Sequence, residues 1–438
     1  MNRKLIVVLF LLFLHPLLTA QQTYSLQDLV ARGLEHNYQL QIVRNQEQMA
    51  QNMNTAGNAG MLPSVTLGGQ HTRQLQDTET NLFTGETRSG SNALNTSLNA
   101  FAEVNWTVFD GFSMFARRDR LNYLARLGEL DTRYYVEQTV ADIAHAYHQL
   151  MKEKSLLALQ QQSLEISAFR LDLEAKKRQV GAGNALLYHQ ALIDFNTDSS
   201  MVSARASLIR DLQMQINRIV NFAPEQDISP EISEPELFGV EDRSELLDKA
   251  LAANPDMERA RLEEMIADAE SRAQRGGRYP QLALFGGYGY NKQTSELGLM
   301  QSSRNFGPNV GVSLRFNLYD GGRQNTRIKN TLLEQDNAAV AMQDTRAWLE
   351  SELARLLNTY DNYLERYTLL EQSRQSADAS LAIAQQQLET GSISGFEFRQ
   401  TQLAALNVEN QMTELRFAMK SIEIEMDRIT GRLLQRIL

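Results

Sequence analysis

Residues 97–109, SLNAFAEVNWTVF, alternate: the even positions Leu98, Ala100, Ala102, Val104, Trp106 and Val108 are apolar, and the odd ones include Ser97, Asn99, Glu103, Asn105 and Thr107. A period of two with one apolar face is a half-buried β-strand. Residues 309–319, NVGVSLRFNLY, repeat the pattern, with Val310, Val312, Leu314, Phe316 and Leu318 against Asn309, Ser313, Arg315 and Asn317. Each strand follows a weaker partner, at 64–72 and 281–290. The polar connections 73–96 and 291–308 read as long loops. Short segments of this alternation with long loops on one side are the mark of a membrane β-barrel. One such strand alone fits an ordinary antiparallel sheet equally well.

The two strand pairs belong to an internal duplication. A shift of 217 places Leu29 on Leu246, Asn37 on Asn254, Arg44 on Arg261 and Pro63 on Pro280. A shift of 210 places Asp110-Gly111 on Asp320-Gly321, Leu171 on Leu381, Gly181 on Gly391 and Arg218-Ile219 on Arg428-Ile429. Each copy reads as helix, two strands, very long helix, tight turn, helix. The first copy is expected at 21–221, with its long helix at about 113–180 and a return helix at about 184–221. A linker follows at 222–242. The second copy is expected at 243–438, with helices at about 321–390 and 393–437.

Four strands cannot close a barrel, since the smallest have about eight. An open sheet would leave unpaired edges in lipid. If the strands lie in a membrane, several copies of the chain must share one barrel, and three copies give twelve strands.

The helices carry a second periodicity. Positions 349, 353, 356, 360, 363, 367, 370, 374, 377, 381, 384 and 388 follow a 4-3 spacing and are apolar or tyrosine except Arg374. Val408, Met412, Leu415, Met419, Ile422, Met426, Ile429 and Leu433 form a second seam, and Val202, Ile209, Leu212, Ile216 and Ile219 a third. Sustained heptads predict coiled-coil packing. A helix over 113–180 would reach roughly 100 Å, which a return helix and an N-terminal helix at about 25–59 would match end to end. The predicted fold is mainly α, a long coiled-coil helical barrel joined to a β-barrel of four strands per chain.

The N-terminus carries Arg3 and Lys4, an apolar run at 5–14 and a small residue at Ala20 before Gln21. That is the three-part pattern of a secretory signal, expected over 1–20. The 438 residues hold 43 basic and 53 acidic side chains and no cysteine. A net charge of −10 argues against nucleic-acid binding, which needs basic charge on the phosphates. The missing cysteine excludes disulfides, thiolate metal sites and a lipidated N-terminal cysteine.

A signal peptide, a tandem repeat, two β-hairpins and two coiled-coil hairpins together resemble the TolC-like outer-membrane efflux protein family. The carrying motifs are the paired Asn37 and Asn254, the strand exits TVFDGF at 107–112 and NLYDGG at 317–322, and the turn GSISGFEFRQT at 391–401. The first-copy turn, GAGNALLYHQA at 181–191, keeps Gly181 but has Asn184 for Ser394 and Leu187 for Glu397.

The resemblance implies a homotrimer in the outer membrane of a Gram-negative bacterium, its helices in the periplasm. It implies partnership with a periplasmic adaptor and an inner-membrane pump of RND or ABC type, for export of small molecules or polypeptides. It places adaptor contact at Gly181, Asn184, Gly391 and Ser394, and an entrance ring of carboxylates at Glu397. Asp110, Gly111, Asp320 and Gly321 form the strand-to-helix exits. Independently, glycine suits a reversing chain, and Asn184 or Ser394 can cap a returning helix.

No catalytic constellation is present, and no cofactor or metal is expected. His145 and His148 share a helical face without an HExxH pattern and read as part of a solvated surface. GGYGY at 286–290 lacks the strand–loop–helix context of a phosphate loop. Tyr279, Phe285, Tyr288, Tyr290 and Trp106 fit interfacial girdles, as they would a packed sheet face. A soluble periplasmic coiled-coil scaffold or adaptor is the other reading.

Overall fold

The computed structural model describes residues 24–228, 230, 234–239, 241–297 and 300–438. The predicted signal peptide and part of the predicted linker lie outside these residues. The elements are α1 (Leu26–His36), α2 (Tyr38–Met53), β1 (Ser64–Asn81), β2 (Thr87–Phe109), α3 (Ser113–Gln179) and α4 (Ala185–Val220) in the first copy. The second has α5 (Arg243–Ala253), α6 (Pro255–Gly276), β3 (Gln281–Ser295), β4 (Ser302–Arg315), α7 (Arg323–Glu389), α8 (Gly395–Ile429) and α9 (Leu433–Ile437). The chain divides into two compact units.

One unit comprises Asn45–Asp131 and Glu258–Thr345 and contains the whole sheet. The four strands are antiparallel in the order β1-β2-β3-β4, so β1 and β4 are free edges. Directly opposed residues share a face. Val65 faces Val104, Trp106 faces Leu284, and Leu284 faces Val312, which gathers the apolar residues of all four strands on one side. Val310 on that side is 90% exposed and Leu67 85%.

Most opposed residues on the other side are polar or glycine, such as Gln70 with Asn99 and Asn291 with Asn305. Phe101 and Phe285 lie on this polar side, opposite Gly68 and Gly311. A Cβ on either glycine would collide with the opposing ring. Phe285 is therefore not in register with Trp106, Tyr288 and Tyr290, as a single girdle would require.

The strands outrun their expected lengths. The connection 73–96 is mostly ladder, closed by a short turn in which Leu82 N–H donates to the Glu86 carbonyl at 2.9 Å. Apart from Leu75 opposite Leu94, this stretch is largely polar on both faces, so its alternation is all but invisible to hydropathy. β4 stops at Arg315, before the predicted end at 319.

The other unit comprises the described residues up to Arg44, those between Thr132 and Met257, and Arg346–Leu438. Its core packs Leu29 and Val30 of α1, Ile143 and Leu150 of α3, Ile216 and Val220 of α4, and Phe417 and Ile424 of α8. The predicted seams are buried over part of their length, at Leu349, Leu353, Leu356 and Tyr360 on α7 and at Met412, Leu415, Met419, Ile422 and Met426 on α8, whereas Tyr363, Tyr367, Leu370, Ala377 and Leu381 of α7 are only half-buried. Arg374, the exception, lies 3.9 Å from Glu409.

The predicted helix 25–59 is two helices. Asn37 breaks it: its Oδ1 accepts from Gln39 N–H at 2.8 Å, and its Nδ2 donates to the Ile219 carbonyl at the end of α4, 2.9 Å away. Asn254 repeats this, accepting from Asp256 N–H at 2.8 Å and donating to the Ile429 carbonyl at 3.1 Å. Ile429 is the repeat equivalent of Ile219. One amide thus starts a helix and satisfies an orphan carbonyl at another helix end. The predicted helix 393–437 is also interrupted, by Gly431 at φ +68°.

The connection 234–239 is held on α8. Glu423 accepts from Phe238 N–H at 3.0 Å and from the Tyr360 hydroxyl at 3.2 Å, and Lys420 Nζ donates to the Glu236 carbonyl at 2.8 Å.

Candidate functional site

The two helical turns are built alike. Gly181 and Gly391 both sit at φ +77°, where a side chain would be strained. Ala182 N–H returns to the Lys177 carbonyl at 3.0 Å, and Ser392 N–H to the Gln387 carbonyl at 2.8 Å, closing each helix end with the same six-to-one bond. Asn184 then caps α4 by accepting from Leu186 N–H at 2.8 Å.

Ser394 caps α8 in a reciprocal box with Glu397. Ser394 N–H and Oγ donate to Glu397 Oε2 at 2.8 and 2.9 Å, and Glu397 N–H donates to Ser394 Oγ at 3.3 Å. The backbone and hydroxyl bonds from Ser394 hold the Glu397 carboxyl below its ordinary pKa. This carboxylate is exposed, but one oxygen is committed to the cap. Leu187, its counterpart in the first copy, offers no such cap.

Beneath the second turn lies a buried polar cluster that motif reading missed. Arg399 Nη2 and Nη1 donate to Asp198 Oδ1 and Oδ2 at 2.7 and 2.9 Å. Ser167 on α3 also bonds Asp198, and Arg399 Nη1 reaches Gln402 Oε1 at 3.1 Å. Gln402 Nε2 donates to the Ser163 carbonyl at 3.2 Å, and Arg170 pairs with Asp194 at 2.9 Å. One signal was present. Continuing the third seam back from Ile209 in 4-3 steps lands on Arg205, Val202 and Asp198, and Arg205 bonds Gln160 and Glu153. Charged residues on a core beat announce a buried network.

The strand exits in the other unit are also equivalent. Asp110 Oδ1 accepts from Met114 N–H at 3.0 Å, and Asp320 Oδ2 from Gln324 N–H at 2.8 Å, so each aspartate caps the long helix that follows. Asp110 is additionally clamped by Arg117 at 2.6 Å. Gly111 and Gly321 have φ of +70° and +75°. A Cβ at Gly111 would strike the Gly276 carbonyl and Tyr279, whereas at Gly321 it would meet open space.

His145 and His148 are not on a solvated face. His145 Nδ1 lies 3.0 Å from Ser421 Oγ, and the His148 ring is 6.5 Å from Phe417. Burial, then Lys420 and His145, lower the His148 pKa to about 4. Among the described residues no cluster of three or more ligating side chains could hold a metal ion. No helix among them is long and apolar enough to cross a membrane.

Residues 29–216 and 246–432 each match the outer membrane efflux protein family model. The chain belongs to the outer membrane efflux protein family. The two matched segments fall on the two copies of the duplication, so the internal repeat is a property of the family's own pattern.

Solved structures share the fold of this efflux protein. The outer membrane protein VceC of Vibrio cholerae is 16% identical, with a TM-score of 0.76 over 93% of this chain and 96% of that one. The Campylobacter jejuni CmeC outer membrane channel is 14% identical, with a TM-score of 0.77 over 93% and 86%. A membrane protein from Pseudomonas aeruginosa is 18% identical, with a TM-score of 0.77 over 93% of each chain. Among curated proteins none matches the chain. As a family member the protein is an outer membrane efflux protein, and its family is one of transport proteins.

Proposed function

We propose that three copies of this chain assemble in the outer membrane of a Gram-negative bacterium into one export duct. The observation that carries the reading is the four-stranded sheet with two free edges and one exposed apolar face. Free edges in hydrocarbon leave backbone groups unpaired, so the sheet needs partners to close. Three sheets joined edge to edge give twelve strands, enough for a water-filled lumen. The apolar side faces lipid and the polar side lines the lumen.

In this reading residues 1–20 are removed on export, and the helices stand in the periplasm. The turns at Gly181–Asn184 and Gly391–Ser394 meet a periplasmic adaptor, which links the duct to an inner-membrane pump of RND or ABC type. Small molecules or polypeptides delivered by the pump leave through the lumen. The second oxygen of each Glu397 faces the axis, and three such carboxylates attract polyvalent cations.

Detergent-extracted protein is expected to run as a heat-sensitive trimer and to form stable channels in planar bilayers. A monomer that needs no detergent and gives no conductance would instead favour a periplasmic scaffold. For Glu397, the measure is block by a trivalent hexammine cation. Glu397→Ala channels blocked as strongly as wild type would remove the carboxylate ring from the proposal.

A further inference from the structure

The polar side of the sheet is nearly free of charge. Over the paired residues 64–76, 93–107, 281–295 and 302–315 it carries one carboxylate, Glu103, and one guanidinium, Arg315. Lys292 and Arg304 oppose each other on the apolar side. Glu103 is level with Asn309, by way of Gly287 on β3. Arg315 lies six residues further along β4, about 20 Å at the rise of a strand. That is more than twice the screening length of about 8 Å at physiological salt, so Glu103 acts as an isolated negative charge.

Beside it the surface is built for an apolar group. Phe101 is the next residue of β2 on the same side, with its ring laid across Gly68 and 40% exposed. A ring lying on a glycine keeps its outer face free. Opposite Phe101 stand Gly289 and then Gly307, where an added Cβ would meet nothing within 4 Å. Phe101 and this side-chain-free floor line a shallow recess of about 620 Å³ rimmed by Gln70, Asn99, Asn291 and Asn305, and Glu103 stands just beyond its edge, at the next position of β2 on the same side. The rim amides hydrogen-bond but add no charge. Asn105 Nδ2 holds Glu103 Oε1 at 2.8 Å and leaves the other oxygen available.

We propose that Glu103 and Phe101 form a subsite for a monovalent organic cation, with the carboxylate pairing the charge and the ring face taking the cation or its apolar body. An uncharged polar ligand would use the amides alone and be indifferent to Glu103. The subsite deepens the export reading, since it gives the lumen wall a preference for cationic solutes, and it rests on the polar side facing the lumen.

The test uses benzyltrimethylammonium as probe and benzenesulfonate as an anion of similar size. Calorimetric titration of the purified full chain in detergent is expected to show binding of the cation at least tenfold tighter than of the anion. Glu103→Gln weakens the cation at least tenfold, Phe101→Ala at least fivefold, and Phe101→Tyr less than twofold. In planar bilayers the same cation blocks wild-type channels, and Glu103→Gln relieves the block. Equal binding by wild type and Glu103→Gln, or of cation and anion, would overturn the subsite. Absence of any conductance from wild type, with cation binding intact, would sink the duct while leaving the subsite standing.

Discussion

Arg399 closes on Asp198 with two parallel hydrogen bonds, joining α8 of the second copy to α4 of the first across 201 residues of sequence. Both side chains are buried, and each has further polar neighbours. A buried ion pair of this geometry adds little net stability over an apolar pair, but breaking it strands a charge.

Arg399→Ala is therefore expected to cost about 3–5 kcal/mol, whereas pairing Arg399→Met with Asp198→Leu recovers much of that loss. Thermal unfolding in detergent and protease sensitivity of 163–202 and 395–405 measure both. A single variant as stable as wild type would show the pair to be solvated.

The cap at Glu397 sets a pH dependence. Its carboxyl pKa is lowered in the folded chain, so the contribution is present above the ordinary carboxylate pKa and is lost as pH falls through the lowered value. The protection factor of the Ser394 amide, the exchange rate relative to the intrinsic rate at the same pH, should be high at neutral pH and fall in acid. Ser394→Ala, which removes the cap hydroxyl, should cost about 1 kcal/mol at neutral pH.

His148 works in the same direction, but over a higher pH window. Its pKa is lowered to about 4, so the unfolded chain binds a proton that the folded chain refuses between the ordinary histidine value and about 4. Stability falls as pH drops through that window and levels off below it. The full span is on the order of 3 kcal/mol at most. His148→Phe should flatten this part of a stability-against-pH curve, and an unchanged curve would show that the ring is hydrated.

The strand exits give a matched pair of glycine replacements. Gly321→Ala places a methyl group in open space and costs only the left-handed backbone strain, about 1–2 kcal/mol. Gly111→Ala adds a collision with the Gly276 carbonyl and should cost clearly more. Comparing their melting temperatures tests whether the two exits differ as their surroundings do.

Most of the architecture was legible because it is periodic. The alternation from Leu98 to Val108 marked β2 and its faces, and the seams from Leu349 to Ile429 marked the buried stripes of α7 and α8. The equivalence of Gly181 and Gly391 appeared in a simple shift of register, and both adopt the same φ. What failed to show was the far half of β1, where both faces are largely polar, and the breaks at Asn37 and Gly431, where one residue overrides a helical pattern.

By itself, then, the order of amino acids determined the duplication, the sidedness of the strands and the spacing of the helical seams, since each arises from neighbours a few positions apart. Only the tertiary structure decided that Asn37 would hold Ile219, that Arg399 would find Asp198, and that Phe101 would lie on Gly68. Those choices follow from which side chains packing brings within bonding distance and shields from water. A one-dimensional pattern carries no measure of either.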